Sequence, residues 1–594
     1  MCGIVGFTGT KEAYKMVYRG LCRLEYRGYD SAGVAYNEDG KIKIFKNKGR
    51  VKDVLSEETE IVSDTVIGHT RWATHGSPSE TNAHPHMVGR VCVVHNGIIE
   101  NYNALKLKLA EKGYTFVSET DTEVACALIS NYYDLTNDPL KSISCAIGHF
   151  QGSFALCVIF SDIPGVIFAT RSESPLILIP TNNFVAICSD FSAVSSAFDR
   201  HYIPERAEIA RIEGADLKVY DTNGKEKKVK LSTIGYKAKT ESENKFSSYM
   251  ELEISEQPKI LDGIFKRNDE SFSRASEILK ESSVIHMIAC GTAYNAALTS
   301  KSFFTEMAGV QVYCHLASEF RYSGFALRED DAYIVISQSG ETADTIASMR
   351  FLQKNCKKVI GVVNAEFSTI DREADVALHT DAGQEFSVAS TKGFTSQVAV
   401  LFRMAFEIAN DRQKAELYKE IYCRETKRAC LAALENTEAI SRVSRCVSGK
   451  SSSFYIGRQT DYALAKEGSL KLKEITYIHS EAVAAGELKH GTLSLIEKET
   501  PVIAIITDEN VREKTESNIE EVMARGGNVF CIAKEQDMPK CVRRENRIVL
   551  PYANFPTTVF AASVVLQRIA LTAATLLGRD IDKPRNLAKS VTVE

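Results

Sequence analysis

The sequence predicts a multidomain protein of the α/β and α+β classes. A strand-rich N-terminal domain of stacked antiparallel sheets is followed by two copies of a doubly wound parallel α/β unit. Three observations carry this. At 594 residues the chain is too long for one core, so roughly two to four domains are expected. Up to about residue 235, short apolar strands succeed one another with few helices between them. From Val284 onward, apolar strands alternate with helical stretches, and the order of strands and loops occurs twice.

The first element is a strand. Gly3-Ile4-Val5-Gly6-Phe7 reads as buried, which places Cys2 inside a fold rather than on a frayed end. Cys2 is small enough for removal of Met1 to be expected, leaving a thiol and a free α-amine on one residue. Such an amine has an ordinary pKa of about 7.7–8.0 and can act as a base near neutral pH. A terminal nucleophile activated by its own amine is one solution to acyl transfer. Taken alone, Cys2 also fits an inert thiol, because small residues at position 2 are common.

Residues 11–24 follow as an amphipathic helix, and a loop over 24–33 leads into the strand Val34-Ala35-Tyr36. Residues 65–70 form a strand running into Arg71-Trp72-Ala73-Thr74-His75-Gly76, which puts the single tryptophan, Trp72, on a polar loop. Residues 91–97 read as a buried strand ending in a polar turn at His95-Asn96-Gly97. Hydroxyls and carboxylates over 118–123 precede a helix, the pattern of N-capping. Short strands at 154–160, 166–170, 176–179 and 184–187 complete this region. His69, His75, His84, His86 and His95 are near one another in sequence. No cysteine accompanies them at ligand spacing and no His-Glu-x-x-His occurs, so hydrogen bonding rather than metal binding is expected.

Composition narrows the class. The net charge of −5, without a long basic stretch, argues against a nucleic-acid partner. The 15 cysteines are odd in number and scattered, with no Cys-x-x-Cys, which fits a reducing cytosol better than a disulfide framework. The N-terminus lacks the basic and apolar regions of a signal peptide. The apolar run over 559–577 is interrupted by Gln567 and Arg568 and reads as a buried helix, not a membrane span.

Cys2-Gly3-Ile4-Val5-Gly6, the run from His69 to Gly76, His95-Asn96-Gly97 and Glu119-Thr120-Asp121 together resemble a class II glutamine amidotransferase domain. The resemblance implies an N-terminal-nucleophile αββα sandwich over 1–236. It also implies that the Cys2 thiolate attacks the side-chain amide of glutamine. Asn96 and the Gly97 N–H form the oxyanion hole, Arg71 holds the α-carboxylate, Asp121 the α-ammonium, and Trp72 and His75 border the site.

The segment 237–249 is polar and reads as a linker. A helical region then resembles the joint of such enzymes, ending in Glu256-Gln257-Pro258 but carrying Leu252 where lysine is usual. In the first α/β copy, about 275–415, strand 284–289 precedes Cys290-Gly291-Thr292. Strand 332–336 precedes Ser337-Gln338-Ser339-Gly340-Glu341-Thr342, whose hydroxyls and N–H groups at a helix start suit a monophosphate. Plain N-capping is the alternative. In the second copy, about 440–580, Asp508 and Glu509 stand at the equivalent place and would repel phosphate. No Gly-x-x-x-x-Gly-Lys motif points to a nucleotide triphosphate. Glu467, Lys471 and Glu474 share a helix face; a solvated ion-pair stripe is the common reading of such spacing, and the flanking leucines favour a site. His490, between a lysine and a glycine in a polar loop, is an acid/base candidate.

These copies resemble sugar isomerase (SIS) domains, through Cys290-Gly291-Thr292, the Ser337–Thr342 loop, Val388-Ala389-Ser390-Thr391-Lys392 and residues 481–491. Ala293 replaces a frequent serine. The resemblance implies a sugar-phosphate pocket lined by Thr292, Ser337, Gln338, Ser339, Thr342, Val388, Ser390 and Ala588. The C-terminal loop, 581–594, is similar to one in which Lys589 forms a Schiff base with an open-chain ketose, which requires the lysine to shed a proton. Over 250–594 this implies an isomerase half in which Glu474 moves a proton, Lys471 assists and His490 opens the sugar ring. The whole then implies amination and isomerisation of fructose 6-phosphate to glucosamine 6-phosphate, the entry to amino-sugar synthesis. Glutamine supplies nitrogen by internal ammonia transfer, in a cytoplasmic homodimer without metal or cofactor. Two alternatives stay open: action on another keto-sugar phosphate, or a sugar-phosphate sensor.

Overall fold

The computed structural model describes residues 2–194, 198–236, 246–267, 269–355, 357–551 and 554–592. The chain divides into two compact units, Met1–Glu243 with Ser590–Val593, and Asn244–Lys589. Most of the expected linker, 237–245, lies outside the described residues, and its last residue, Tyr249, opens a helix.

In the first unit, strand Gly3–Thr8 lies between Thr65–Arg71 and Val185–Cys188 in a six-stranded antiparallel sheet. A seven-stranded antiparallel sheet packs on it, with Val91–Ile99 next to Gly152–Phe160. Side-chain alternation divides each strand between two cores. Cys92 and Val94 join Cys157, Ile4, Ile67 and Ile187 between the sheets. Val91 and Val93 face outward onto Leu105, Leu109, Ala125 and Ile129 of helices Tyr102–Ala110 and Asp121–Thr136. Helix Ala13–Leu24 covers the outer face of the first sheet through Val17, Gly20 and Leu21. Gly20 allows this contact, since a Cβ there would come within 2.9 Å of the Val5 side chain. The result is a helix–sheet–sheet–helix sandwich whose strands, buried on both faces, read as unbroken apolar runs.

One expectation is corrected. Residues 95–97 do not form a turn, because strand Val91–Ile99 runs through them and pairs Asn96 with Ala155 and Gly97 with Phe154. The polar side chains of His95 and Asn96 find buried partners, so polarity does not end the strand there.

The second unit holds two five-stranded parallel sheets of identical order. In the first the strands run Gln311–Leu316, Val284–Ala289, Asp331–Ser337, Val359–Val363, Val376–His379. In the second they run His479–Ala484, Ser452–Gly457, Pro501–Ile506, Asn528–Ala533, Arg547–Val549. In each, the first and third strands in sequence are neighbours whose connections leave in opposite directions. Their carboxyl ends frame the crevice where such folds bind ligands. Thr292 and the Ser337–Thr342 loop follow those two strands in the first copy. Helices Arg412–Glu435 and Thr437–Ser448 join the copies.

Helix Thr557–Leu576 is long and apolar enough to cross a membrane, the one such helix among the described residues, but 78% of its most apolar window is buried. It packs against Thr460–Thr476 and the two joining helices. Its Gln567 accepts from Gln257 Nε2 at 2.7 Å and donates to the Thr391 carbonyl at 3.2 Å, so that amide is satisfied inside the core.

Candidate active sites

The first site gathers at the start of strand Gly3–Thr8. Its register opposes Gly3 to Thr70, which carries Cys2 beside the end of the neighbouring strand. Gly3 permits that approach, since a Cβ would meet Thr70 Oγ1 at 2.6 Å. Cys2 Sγ accepts the Trp72 N–H at 3.2 Å, and the Cys2 carbonyl accepts from Asn96 Nδ2 at 3.1 Å. Burial pushes the Cys2 thiol up, opposed by the positive amino terminus, the Trp72 N–H and Arg71. This thiol therefore needs a base to become a nucleophile. Gly97 has φ +125°, and a Cβ there would lie 2.0 Å from the Ser153 carbonyl oxygen, so only glycine fits.

Arg71 is 3% exposed. One guanidinium nitrogen donates to the carbonyls of His75 and Gly76, while Nη1 is buried without a hydrogen-bond partner. An unpaired guanidinium nitrogen at this depth is suited to a carboxylate. Asp121, in the first turn of helix Asp121–Thr136, accepts the Ile99 N–H at 2.8 Å and lies 3.8 Å from His95 Nδ1. Trp72 meets Tyr29 edge-on at 5.6 Å, and His75 meets Tyr102 at 5.1 Å. The Cys2 thiol, the Asn96 amide donor and the Arg71 guanidinium thus lie close together, groups of the kind used in acyl transfer from an amide.

The second site spans both copies of the second unit. Lys471 is fully buried on helix Thr460–Thr476. Its Nζ lies 2.6 Å from Glu474 and 3.5 Å from Glu467, and it donates to Thr292 Oγ1 at 3.0 Å. Glu467 also accepts from Asn295 at 2.8 Å. This is not a solvated stripe, because the helix face is sealed against helix Gly291–Ala308. Burial works to lower Lys471, but the charges of Glu474 and Glu467 outweigh it and hold it raised.

Lys589 Nζ lies 2.5 Å from Glu385 Oε2, which also accepts from Ser390 Oγ at 2.9 Å. Glu385 Oε1 accepts the N–H groups of Thr391 and Gly393 at 2.8 and 3.0 Å, capping helix Lys392–Glu407. The loop bearing Lys589 is anchored by Asp582, whose carboxylate takes the Tyr249 and Met250 N–H groups and whose carbonyl takes the Val388 N–H. In the loop over 337–342, Ser337 Oγ meets Thr342 Oγ1 at 2.8 Å and accepts the Gly340 N–H at 3.1 Å. His490 is exposed at the end of the short 3₁₀ segment Ala485–His490 and has no hydrogen bond to these groups.

Comparison with known proteins identifies the domains that these residues belong to or adjoin. A glutamine amidotransferase domain model matches residues 69–196, and a SIS domain model matches 278–406 and 448–577. The chain is 42% identical to the glutamine–fructose-6-phosphate aminotransferase [isomerizing] of Clostridium tetani over 616 residues, covering 100% of both. It is 38% identical to the enzyme of that name from Haemophilus influenzae, again over 100% of both. The chain belongs to the glutamine–fructose-6-phosphate aminotransferase (isomerizing) family. A solved C-terminal domain of glucosamine-fructose-6-phosphate aminotransferase from Francisella tularensis covers 58% of this chain and 100% of its own, at 33% identity and a TM-score of 0.55.

Within that family assignment, two features of the structure were not legible in the motifs. Glu385 has no motif of its own, and Thr391 reads in the sequence as an ordinary N-cap of helix Lys392–Glu407, a role the structure gives to Glu385 instead. The second SIS copy carries Asp461 at the place of Ala293. Its carboxylate accepts the Thr507 N–H at 3.0 and 3.1 Å and the Thr507 hydroxyl at 2.5 Å. Thr507 follows the strand corresponding to the one before Ser337. In the second copy a carboxylate from the first helix therefore takes the donors of Thr507, whereas the corresponding Ser337 hydroxyl pairs within its own loop.

Proposed function

We propose that this chain converts glutamine and fructose 6-phosphate into glutamate and glucosamine 6-phosphate. The observation that carries the reading is the pairing, in one chain, of a half-buried Cys2 whose carbonyl takes the Asn96 amide donor with a lysine gripped by a buried carboxylate at a SIS crevice. Full-length likeness to enzymes of that name supports it.

Removal of Met1 frees the Cys2 amine, which takes the thiol proton as Sγ adds to the amide carbon of glutamine. Asn96 Nδ2 and the Gly97 N–H take the charge that develops on oxygen. Arg71 Nη1 holds the α-carboxylate and Asp121 the α-ammonium, with Trp72 and His75 as walls. The amine returns its proton to the departing ammonia, and water cleaves the thioester to glutamate. In the second unit Ser337, Gln338, Ser339 and Thr342 hold the phosphate, with Thr292, Val388, Ser390 and Ala588 around the sugar. His490 assists ring opening. Glu385 holds Lys589 Nζ in place, and Nζ sheds a proton to water before it adds to the C2 ketone and water departs. Ammonia then displaces the lysine, and Glu474, held by Lys471, moves a proton from C1 to C2. The working protein is a cytoplasmic homodimer with an amidotransferase domain over 1–236 and an isomerase half over 250–594.

The test measures glutamate and glucosamine 6-phosphate with either nitrogen source. Cys2→Ala abolishes glutamine use but keeps synthesis from added ammonium within about twofold. Glutamine hydrolysis indifferent to every sugar phosphate would sink the coupled reading. So would full activity in protein whose mass shows Met1 retained.

A further inference from the structure

The oxyanion reading of Asn96 requires that its amide face one way. The NH₂ must point at Cys2 and the carbonyl oxygen away. A carboxamide is nearly symmetric in shape, so packing alone does not decide between the two orientations. His69 lies on strand Thr65–Arg71 of the first sheet, fully buried, and faces Asn96 on strand Val91–Ile99 of the sheet packed against it. Its Nε2 lies 3.1 Å from Asn96 Oδ1 and 2.9 Å from the His95 carbonyl oxygen. A carbonyl oxygen can only accept, so Nε2 carries the hydrogen, and Nδ1 is the bare nitrogen with no hydrogen-bond partner. With the hydrogen fixed there, a reversed Asn96 would set its NH₂ against the His69 N–H and its oxygen against the Cys2 carbonyl. Both contacts would be repulsive. The observed orientation makes both attractive and gives Asn96 Nδ2 to Cys2 at 3.1 Å, leaving its second hydrogen for an incoming oxygen.

We infer that His69 is a positioning residue for glutamine hydrolysis, locking the Asn96 amide with its donor side toward the thiol. His69 touches neither the thiol nor the place of the substrate; it acts through Asn96 and rests on the proposed oxyanion role. Its surroundings suit a fixed donor. The His84 ring stacks on it at 4.1 Å, which holds the imidazole plane. The titratable and charged groups that face it are His84 and His95, with Arg71 beyond. Burial, then the neighbouring histidine and arginine charges, keep the ring neutral down to about pH 3, so its tautomer does not change through the working range.

The experiment is a double-mutant cycle read as kcat for glutamate release, with ammonium-dependent synthesis measured alongside. His69→Phe keeps a stacked ring but removes the donor. It lowers kcat by about tenfold to a thousandfold, up to the loss of one oxyanion donor, while KM for glutamine changes little. His69→Gln, whose NH₂ can donate to the same oxygen, recovers part of the loss. Asn96→Ala alone is similarly impaired, and adding His69→Phe to it costs nothing more, because the orientation being fixed no longer exists. Ammonium-dependent synthesis is unchanged throughout. If His69→Phe lowers kcat by the same factor with and without Asn96, positioning through Asn96 is wrong while the oxyanion reading survives. If His69→Phe leaves kcat intact, or impairs ammonium-dependent synthesis to the same extent, the inference likewise falls. If Asn96→Ala hydrolyses glutamine normally, both readings fall.

Discussion

Glu385 has a solvent-free side chain surrounded by donors: two backbone N–H groups, the Ser390 hydroxyl and the Lys589 ammonium. Burial alone would raise its pKa, but the Lys589 charge and these hydrogen bonds overcome that and hold it below the usual carboxylate range. Glu253, a second buried carboxyl nearby, is pushed the other way, by burial and then by the Glu385 charge. One anion and one cation are thereby balanced. Because the folded pKa of Glu385 is depressed, its contribution to stability is full above the unfolded value of about 4.3 and is lost as pH falls through the folded one. Glu385→Gln should leave Lys589 buried without a counter-charge and destabilise the second unit by about 3 kcal/mol. Synthesis from ammonium should fall at least tenfold or so, since the carboxylate that positions Nζ is gone. Far-UV circular dichroism in urea and a product assay check the two effects; a variant as stable and active as the parent would remove Glu385 from the site.

At the scale of elements, the loop between strand Ser452–Gly457 and helix Thr460–Thr476 carries a strained position. Gln459 has φ +52° and ψ −122°, a region that a side chain disfavours and glycine accepts. It is held there because Gly457 and Asp461 are in backbone contact, 2.5 Å from an added Cβ, and Asp461 is drawn onto Thr507. Gln459→Gly should therefore raise the urea midpoint of the second unit, by about 1 kcal/mol of stability, although glycine usually weakens a chain. A lowered midpoint would mean the backbone there is not strained. Asp461 also marks where the sequence could be read and where it could not. The strand-and-loop order announced two equivalent α/β copies, because apolar runs buried on both faces have few alternatives. Asp508 and Glu509 suggested that the second crevice rejects phosphate. That a buried carboxylate from the following helix would take the Thr507 donors depended on a side-chain direction no local pattern encodes. The same limit applied to residues 95–97, where a polar run looked like a turn because its buried partners, His69 and Thr122, lie on a strand and a helix distant in sequence. Glu385 escaped for a related reason: a lone acid in a loop becomes informative only when Lys589 arrives from 204 positions away.

For the whole molecule, the two units differ in how they bury titratable rings. The first contains His69, His84, His86 and His95 in a stacked, buried group, with ring contacts of 4.1 to 6.5 Å to His84. Burial depresses all four below their ordinary value, and neighbouring positive charges depress His69, His84 and His86 further. The folded unit therefore binds fewer protons than the unfolded chain once pH drops below about 6.5, and its stability must fall with pH. Between pH 7 and 5.5 each ring that stays neutral costs about 1 kcal/mol. The second unit has two depressed rings, His286 and His315, and one raised ring, His379 beside Asp371, which offsets part of the loss. Acidification should thus unfold the first unit ahead of the second. The lone tryptophan makes this measurable, because Trp72 lies in the first unit. Its fluorescence follows that unit, while circular dichroism follows the whole chain. On going from pH 7 to 5.5 the fluorescence midpoint in urea should move further than the dichroism midpoint, and His84→Phe should reduce the difference by removing one of the four proton sites. Midpoints that shift together at every pH would mean that the histidine group is not what sets the acid limit of this protein.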